Sequence, residues 1–333
     1  MLELFSANTT IVLGLSLNDQ EDHLIQSAVS LAQRTSAQLI LVHAAQPYRN
    51  YSIAREGFVL PYEEFEKESF DEDLALAQNK IEMIRDTLPT GLVCETRVLR
   101  DFAEDALEEV ARSTKAVLIL CGFHKQQPAR FLHSMSTGLS LMAHARHPVM
   151  VIPHESFVDF QSQPLTVLIA DDLKEDGEQA LRGALGFCRS IGVNQMVHAH
   201  VNVMSYREIN QMVDKIRVAM LEGRIPIDPA FNSQVYIDQT KLEIKSLLKQ
   251  RIEAMDPSFI HEFKYRPAVR FGLPIEEVHR LTLETKSQVL IFGKHHILHR
   301  GRLSIGKIPY EAMVEPHVAT IIVPDAHSGP GME

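Results

Sequence analysis

The sequence QVLIFGKHHILHRGRLSIGKIPYEAMVEPHVATIIVP, from Gln288 to Pro324, decides the predicted fold. It begins with a buried strand at Val289–Phe292, passes through Gly293, a basic loop and a further glycine to a helix, and ends in an apolar strand. A glycine directly after a strand lets a ligand approach the backbone closely. A loop that leads into a helix leaves amide N–H groups unpaired, which favours anion binding. The stretch is therefore typical of a ligand-binding loop.

The same order of elements occurs earlier, in AVLILCGFHKQQPARFLHSMSTGLSLMAHARHPVMVIP, residues 116–153. Gly122 corresponds to Gly293 at an offset of 171 residues, whereas the helix pattern at Leu24–Val29 corresponds to Ala180–Leu185 at an offset of 156. The second copy therefore contains about fifteen extra residues. We place this insertion at about 204–248, where two helix-like segments flank a proline-rich bridge.

Short apolar runs alternate with helix patterns along the whole chain, which indicates parallel strands joined by right-handed crossovers. We predict an α/β protein with two repeated, doubly wound domains, each with a five-stranded parallel sheet. The predicted boundaries are 1–153 for the first domain, 154–164 for a linker, 165–325 for the second domain and 326–333 for a flexible tail.

Composition argues against several classes of function. A formal net charge of -10 disfavours general binding to nucleic acid or to an anionic membrane. Three cysteines without a CxxC spacing suit a reducing compartment. The apolar runs are far shorter than the ~20 residues of a bilayer-spanning helix, and the first ten residues lack a signal-peptide pattern. We therefore expect a cytoplasmic protein.

These features resemble the universal stress protein family in its tandem two-domain form, which has Rossmann-like (adenine nucleotide alpha hydrolase-like) domains. Nucleotide-binding members of that family carry G-x2-G-x9-G-[S/T] after a strand. The corresponding positions of the second copy are Gly293, His296, Gly306 and Lys307. Those of the first copy are Gly122, Lys125, Met135 and Ser136. The second copy thus keeps two of the three glycines, and the first keeps one glycine and the hydroxyl.

The resemblance implies two further positions. The acid that the family uses against the nucleoside corresponds to Asp172 in the second copy and to Ser16 in the first. The second-strand residue whose backbone reads adenine corresponds to Val201 and to Ala44. We therefore expect the second copy to bind the ligand and the first to contain a degenerate site. The resemblance also implies that the last strands, Pro148–Ile152 and Thr320–Val323, join the domains as an intramolecular pseudo-dimer.

The loop after Gly293 is strongly basic within an acidic protein. Its basic residues are Lys294, His295, His299, Arg300 and Arg302. A bound phosphate would explain this contrast, because Lys307 at a helix start is a phosphate-seeking point charge. A solvated run of charges on a mobile loop is the alternative interpretation.

Other patterns suggest weaker candidates. The histidines of this loop lack a cysteine or carboxylate at ligand spacing, so we expect no metal. Neighbouring strand residues point to opposite faces, so we expect Asp171 to be solvated rather than to act with Asp172. His43 and His200 occupy equivalent positions and are expected to make structural hydrogen bonds. The spacing of Asp101 and Glu104 predicts a capping box.

Taken as a whole, the sequence favours a stress-response regulator that binds ATP, AMP or a related phosphorylated anion without strong catalysis. It does not indicate whether magnesium accompanies the ligand. Two alternatives stay open. The first is a protein-interaction scaffold that uses the insertion to contact a protein partner. The second is weak ATP hydrolysis or phosphotransfer, for which no base is identifiable. Pairing of whole chains into a homodimer is also left open.

Overall fold

The computed structural model describes residues 9–18, 21–45, 63–123, 137–153, 156–161, 164–294, 297–299, 302–304 and 318–324. The elements of the first half are β1 (Thr10–Gly14), α1 (Asp22–Thr35), β2 (Gln38–Ala44), α2 (Glu63–Thr87), β3 (Cys94–Leu99), α3 (Ala103–Thr114), β4 (Leu118–Phe123), α4 (Thr137–His144) and β5 (Val149–Pro153). Those of the second half are β6 (Thr166–Ala170), α5 (Glu178–Ile191), β7 (Gln195–Asn202), α6 (Tyr206–Leu221), α7 (Ser233–Met255), α8 (Phe259–Glu262), β8 (Lys264–Phe271), α9 (Pro274–Thr285), β9 (Val289–Gly293), β10 (Ile297–His299), β11 (Arg302–Ser304) and β12 (Ala319–Val323).

Ten of these strands form one sheet in the order β3-β2-β1-β4-β5-β12-β9-β6-β7-β8. Each half contributes five parallel strands, and in both halves the first strand lies between the second and the fourth. The predicted α/β fold is therefore confirmed. The two sets of five strands are continuous, because β5 and β12 pair with each other.

The β5–β12 pair is antiparallel and aligns Thr320 with Val151 and Ile322 with Val149. This pairing confirms the expectation that the last strands join the halves. Every other pair in the described ten-stranded sheet is parallel.

Helices cover both faces of the sheet, as its continuously apolar strands require. Along β1, Ile11 and Leu13 pack into the core on one face, which α1, α2, α5, α7 and α8 cover. Val12 points to the opposite core, beneath α3, α4 and α9. Among the described helices, none is long and apolar enough to cross a membrane.

The segment between the two halves is part of the core. Val158 and Phe160 are buried beside α1 and α5. The amide of Phe160 donates to the hydroxyl of Ser30 at 2.8 Å, and its ring meets that of Phe187 edge-on with centroids 6.5 Å apart. Ser30 belongs to α1 and Phe187 to α5. The predicted linker therefore ties the two halves together through buried contacts.

The inserted region forms a helical hairpin from α6 and α7. Ile209 and Val213 of α6 pack with Phe231 and with Ile237 of α7 in a small separate core. Farther along α7, Leu248 packs on Val269 of the edge strand β8. The hairpin is thereby anchored on the outer end of the second half.

Capping shows where local sequence signals succeed and fail. Ser205 and Glu208 form a capping box at the start of α6, with Ser205 N–H to Glu208 Oε2 at 2.7 Å. The capping box expected at Asp101 is wrong. Helix α3 begins after Phe102, and the Asp101 carboxylate accepts from the Phe102 amide instead. The aspartate lies one residue too early to reach the free amides of the first turn.

Candidate functional site

A crevice lies at the carboxyl ends of β6 and β9, next to the start of α5. Strand β6 pairs with β7 on one side and β9 on the other, so this is the point where the strand order reverses and where such sheets bind ligands. The crevice contains about 290 Å³ of empty space, including its open mouth. Its lining residues are Ile169, Ala170, Asp171, Asp172, Gly177, Ala180, Leu181, Ile291, Phe292 and Gly293.

Two of the residues predicted to bind the nucleotide, Asp172 and Gly293, line this crevice. Ala170 is aligned with Phe292 across β6 and β9, which places the following segments, with Asp172 and Gly293, at one edge of the sheet. Val201 is one strand away on β7, where it packs partly buried into the core under α9. The structure does not place it in the crevice lining. His296, Gly306 and Lys307 lie outside the described residues.

Asp172 is the accessible acid of the crevice. Its side chain is 30% exposed and lies 3.0 Å from Lys174 Nζ. Its Oδ1 also accepts from the Lys174 amide at 3.1 Å. Leu173 between them has a left-handed backbone with φ of 64°, which turns the chain sharply at the end of β6. The carboxylate thus stands on a tight turn at the rim.

Asp171 is buried, so the expectation that it is solvated is wrong. Its side chain is only 4% exposed. Oδ2 lies 3.0 Å from His198 Nε2 and 3.1 Å from Arg251 Nε, and Oδ1 accepts from the Leu173 amide at 2.7 Å. The fully buried ring of His198 also lies 3.3 Å from the Tyr265 hydroxyl through Nδ1. The strand rule failed because Asp171 follows the last residue of β6 and belongs to the turn.

The charges of this network follow from their surroundings. Burial alone would raise the pKa of Asp171, but the hydrogen bonds from His198 and Leu173 and the Arg251 guanidinium outweigh it and hold the pKa below its usual range. Burial raises the pKa of Tyr265, and the negative charge of Asp171 acts in the same direction. An ionised aspartate and a neutral phenol therefore flank His198. The network fixes the turn 171–174 under the crevice.

Sequence reasoning missed His198, Arg251 and Tyr265. His198 carried a usable signal, because it stands in the middle of the apolar strand β7, where a polar side chain needs a buried partner. Arg251 gave none, because it is one of several basic residues of a long helix.

His43 and His200 are structural, as expected. His43 Nδ1 lies 2.9 Å from the carbonyl oxygen of Leu15, and His200 Nδ1 lies 2.9 Å from that of Asp171. Each imidazole therefore bonds to the backbone just after the first strand of its half. These two contacts show that the halves share their local geometry at this edge of the sheet.

In the first half, a glutamate side chain bonds to the turn after the first strand. Ser16 and Gly122 lie at the carboxyl ends of β1 and β4, and Ala44 is the last residue of β2. The Glu21 carboxylate accepts from the Ser16 amide at 2.8 Å, from the Ser16 hydroxyl at 2.9 Å and from the Leu17 amide at 2.9 Å. Glu21 had no role in the sequence interpretation. Lys125 and Ser136 lie outside the described residues.

The basic loop after Gly293 differs from the expectation in two ways. Lys294 is 2% exposed, and its Nζ donates to the carbonyl oxygen of Ala145 at 3.3 Å, at the end of α4 in the other half. It therefore belongs to the contact between the halves rather than to an exposed phosphate site. The loop also contains the antiparallel pair β10–β11, which aligns His299 with Arg302. His295 and Arg300 lie outside the described residues.

Metal binding finds no support in the part of the chain that the structure covers. Within these ranges, no group of three or more His, Cys, Asp or Glu residues could hold a metal ion.

The fold is that of a doubly wound α/β protein, and its candidate ligand crevice lies at the switch in strand order. Residues 7–153 match the model of the universal stress protein family. This half of the chain belongs to the universal stress protein family, and the second half has the same strand order. The family resemblance seen in the sequence is thereby confirmed.

Solved structures agree with this assignment at the level of fold. A universal stress protein from Archaeoglobus fulgidus DSM 4304 is similar with a TM-score of 0.58 and 13% identity, covering 95% of this chain and 98% of that one. A functionally unknown protein from Pseudomonas aeruginosa PAO1 is similar with a TM-score of 0.55 and 12% identity, covering 97% and 94%. Comparison with curated protein sequences gives no match.

Proposed function

We propose that this protein is a cytoplasmic stress-response regulator that binds an adenine nucleotide, such as ATP or AMP, or a related phosphorylated anion, in the crevice of the second half. One observation carries the proposal: an open crevice at the switch point, with the accessible carboxylate of Asp172 at its rim and Gly293 on its opposite side.

The lining suits the nucleoside end of such a ligand. Ile169, Leu181 and Ile291 offer apolar walls for a flat base, and Asp172 offers an acceptor for an N–H or O–H group. The phosphates would extend beyond Gly293, which has no Cβ to hinder them. We assign the phosphate end to His296, Gly306 and Lys307 from their positions in the sequence motif.

The arrangement favours binding over catalysis. His198 contacts the Asp171 carboxylate, but its ring is fully buried and both of its nitrogens lie within hydrogen-bond distance of a partner. A general base must reach the reacting group, directly or through one water. His198 therefore supports the turn rather than a hydrolysis step.

Isothermal titration calorimetry with ATP and AMP tests the proposal on the full chain. We expect binding at micromolar to millimolar ligand, and at least tenfold weaker binding in Asp172→Ala because the nucleoside loses its acceptor. Asp214→Ala, which removes an exposed acid from α6, is the matched control and should bind as the parent does. Absence of heat at millimolar ligand, or equal affinity in both variants, would contradict the proposal.

A second candidate function is an interaction scaffold that binds a protein partner through the inserted hairpin. It is favoured by large apolar side chains that stand exposed at the tip, with Leu221 83% and Ile227 70% exposed. Isolated exposed apolar residues are ordinary, but neighbouring ones favour contact with an apolar protein surface. A partner captured by the full chain should be lost from Leu221→Ser/Ile227→Ser and retained in Asp172→Ala. The opposite pattern would assign the partner to the crevice.

A further inference from the structure

We propose that Glu21 acts as an internal ligand that fills the first half's site, and that Gly177 keeps the equivalent site of the second half open. The inference rests on the proposed function for its meaning in binding. It identifies two positions, rather than the glycine motif alone, as the residues that decide which half can accept a ligand.

The two positions are equivalent by several independent landmarks. Strands β1 and β6 begin at Thr10 and Thr166, and helices α1 and α5 begin at Asp22 and Glu178. Both pairs are 156 residues apart. The same offset relates the two left-handed residues of the turns, Leu17 with φ of 58° and Leu173 with φ of 64°. Glu21 is therefore the counterpart of Gly177, and Ser16 is the counterpart of Asp172.

The Glu21 carboxylate accepts hydrogen bonds from the turn after β1, as a bound anion could do there. Glu21 is 5% exposed, and although it precedes α1 it makes no side-chain cap with that helix. Instead it turns back and takes two amides and one hydroxyl of Ser16 and Leu17. A buried carboxylate needs such donors to offset its desolvation. The donors are thereby satisfied internally and are closed to an external acceptor.

Gly177 has no side chain that could occupy the equivalent place in the second half, where the Leu173 amide, the counterpart of the Leu17 amide, donates to Asp171 Oδ1 at 2.7 Å. Gly177 lines the crevice, and its backbone is ordinary right-handed helix (φ -74°, ψ -6°), so the conformation does not require glycine. A Cβ there would lie 3.6 Å from Asp172 Oδ1 and 3.7 Å from Arg251 Nη2, which are ordinary contacts. A longer side chain would therefore be tolerated at its base and would have to extend along Asp172 into the crevice.

The two halves thus carry opposite pairs. Ser16 with Glu21 gives an acid that is buried and bonded to the turn, whereas Asp172 with Gly177 gives an acid that is 30% exposed, contacts Lys174 and stands at the rim of an open crevice. A glutamate at position 177 would both fill the crevice and bring a second negative charge towards Asp172. Two neighbouring negative charges repel each other, and the repulsion is stronger beside the apolar lining of the crevice than in bulk water.

Calorimetric titration of ATP into the full chain tests the role of Gly177. We expect one site in the parent and at least tenfold weaker binding in Gly177→Glu, while the Asp214→Ala control should bind as the parent does. Gly177→Gln adds similar bulk without the charge and should also bind more weakly than the parent. Parent-like affinity in both Gly177→Glu and Gly177→Gln would overturn the inference while leaving the proposed function intact.

Amide hydrogen exchange tests the role of Glu21 without any ligand. The Ser16 and Leu17 amides should both exchange at least tenfold faster in Glu21→Ala, because the acceptor is gone. In the isosteric Glu21→Gln one of the two amides should exchange faster, because the carboxamide keeps only one acceptor oxygen. Asp22→Ala, which removes the adjacent exposed acid, is the control and should leave both amides unchanged. Unchanged exchange in Glu21→Ala and Glu21→Gln would overturn the inference. If the parent binds no nucleotide, the proposed function is wrong. The role of Glu21 is still tested in that case, because amide exchange is measured without a ligand.

Discussion

Asp171 shows how single residues of distant segments build one feature of the crevice. The carboxylate contacts His198 of β7 and Arg251 of α7, and His198 in turn contacts Tyr265 of β8. Arg251 also donates to the Lys174 carbonyl oxygen at 3.0 Å and so holds the rim turn directly. The inserted hairpin, which carries Arg251 at its inner end, is therefore coupled to the turn that bears Asp172.

Replacing Arg251 by Met should destabilise the protein by about 2–4 kcal/mol, because it leaves a buried carboxylate without its cation. Lys249→Met is the matched control, since the exposed Lys249–Glu253 pair on the same helix contributes at most about 0.5 kcal/mol. Urea unfolding at neutral pH measures both values. Equal effects of the two substitutions would show that the Asp171 contact contributes nothing to stability.

Protonation of Asp171 should weaken the fold in acid. Its pKa in the folded protein is held below that of an unfolded aspartate, so its stabilisation is fully present above the unfolded pKa of about 4 and is lost as the pH falls through the lowered pKa. The difference in unfolding free energy between the parent and Asp171→Asn should therefore be constant from about pH 5 to 7 and shrink below about pH 4. Urea titrations across this range measure it. A difference that stays constant down to pH 3 would contradict the assignment.

At the scale of elements, strands were easier to predict than the contacts between them. The apolar run at Val289–Phe292 needs no distant information, because a strand buried on both faces is apolar throughout. The pairing of Asp171 with Arg251 depends on how a helix eighty residues later lies over the sheet, which no local pattern encodes. Glu21 escaped notice for a similar reason, since only the turn at Leu17 brings its carboxylate back to Ser16.

Ser205 and Asp101 stand in similar sequence patterns, but the structure predicts different effects when each is replaced. Ser205→Ala should destabilise α6 by about 1 kcal/mol, because the Glu208 amide loses its acceptor. Asp101→Ala should change α3 by less than about 0.5 kcal/mol, because its carboxylate caps no helical amide. Amide exchange in the first turns of α6 and α3 measures both effects. A larger loss in α3 than in α6 would contradict the observed caps.

At the scale of the whole molecule, the continuous sheet and the buried connecting segment should make the two halves unfold together. Phe160→Ala should lower stability by about 3–5 kcal/mol, because it opens a cavity between α1 and α5. Phe157→Ala is the matched control, since that ring, three residues earlier, is 51% exposed and should matter little.

Calorimetry should therefore show a single transition for the parent, and Phe160→Ala should speed amide exchange in β1 and β6 alike. Two separate transitions, or exchange that accelerates in only one half, would show that the halves are energetically independent despite the shared sheet.

The antiparallel pairing of β5 with β12 also determines at which edge of the sheet each half's strand-end site lies. Because strand direction reverses at that pairing, the carboxyl ends of the two sets of parallel strands lie on opposite rims of the sheet. The Glu21 corner and the Asp172 crevice therefore look out on opposite sides of the molecule. Under the proposed function, a ligand enters from the rim that carries Asp172, and a neighbour that docks on the rim that carries Glu21 leaves that entrance free.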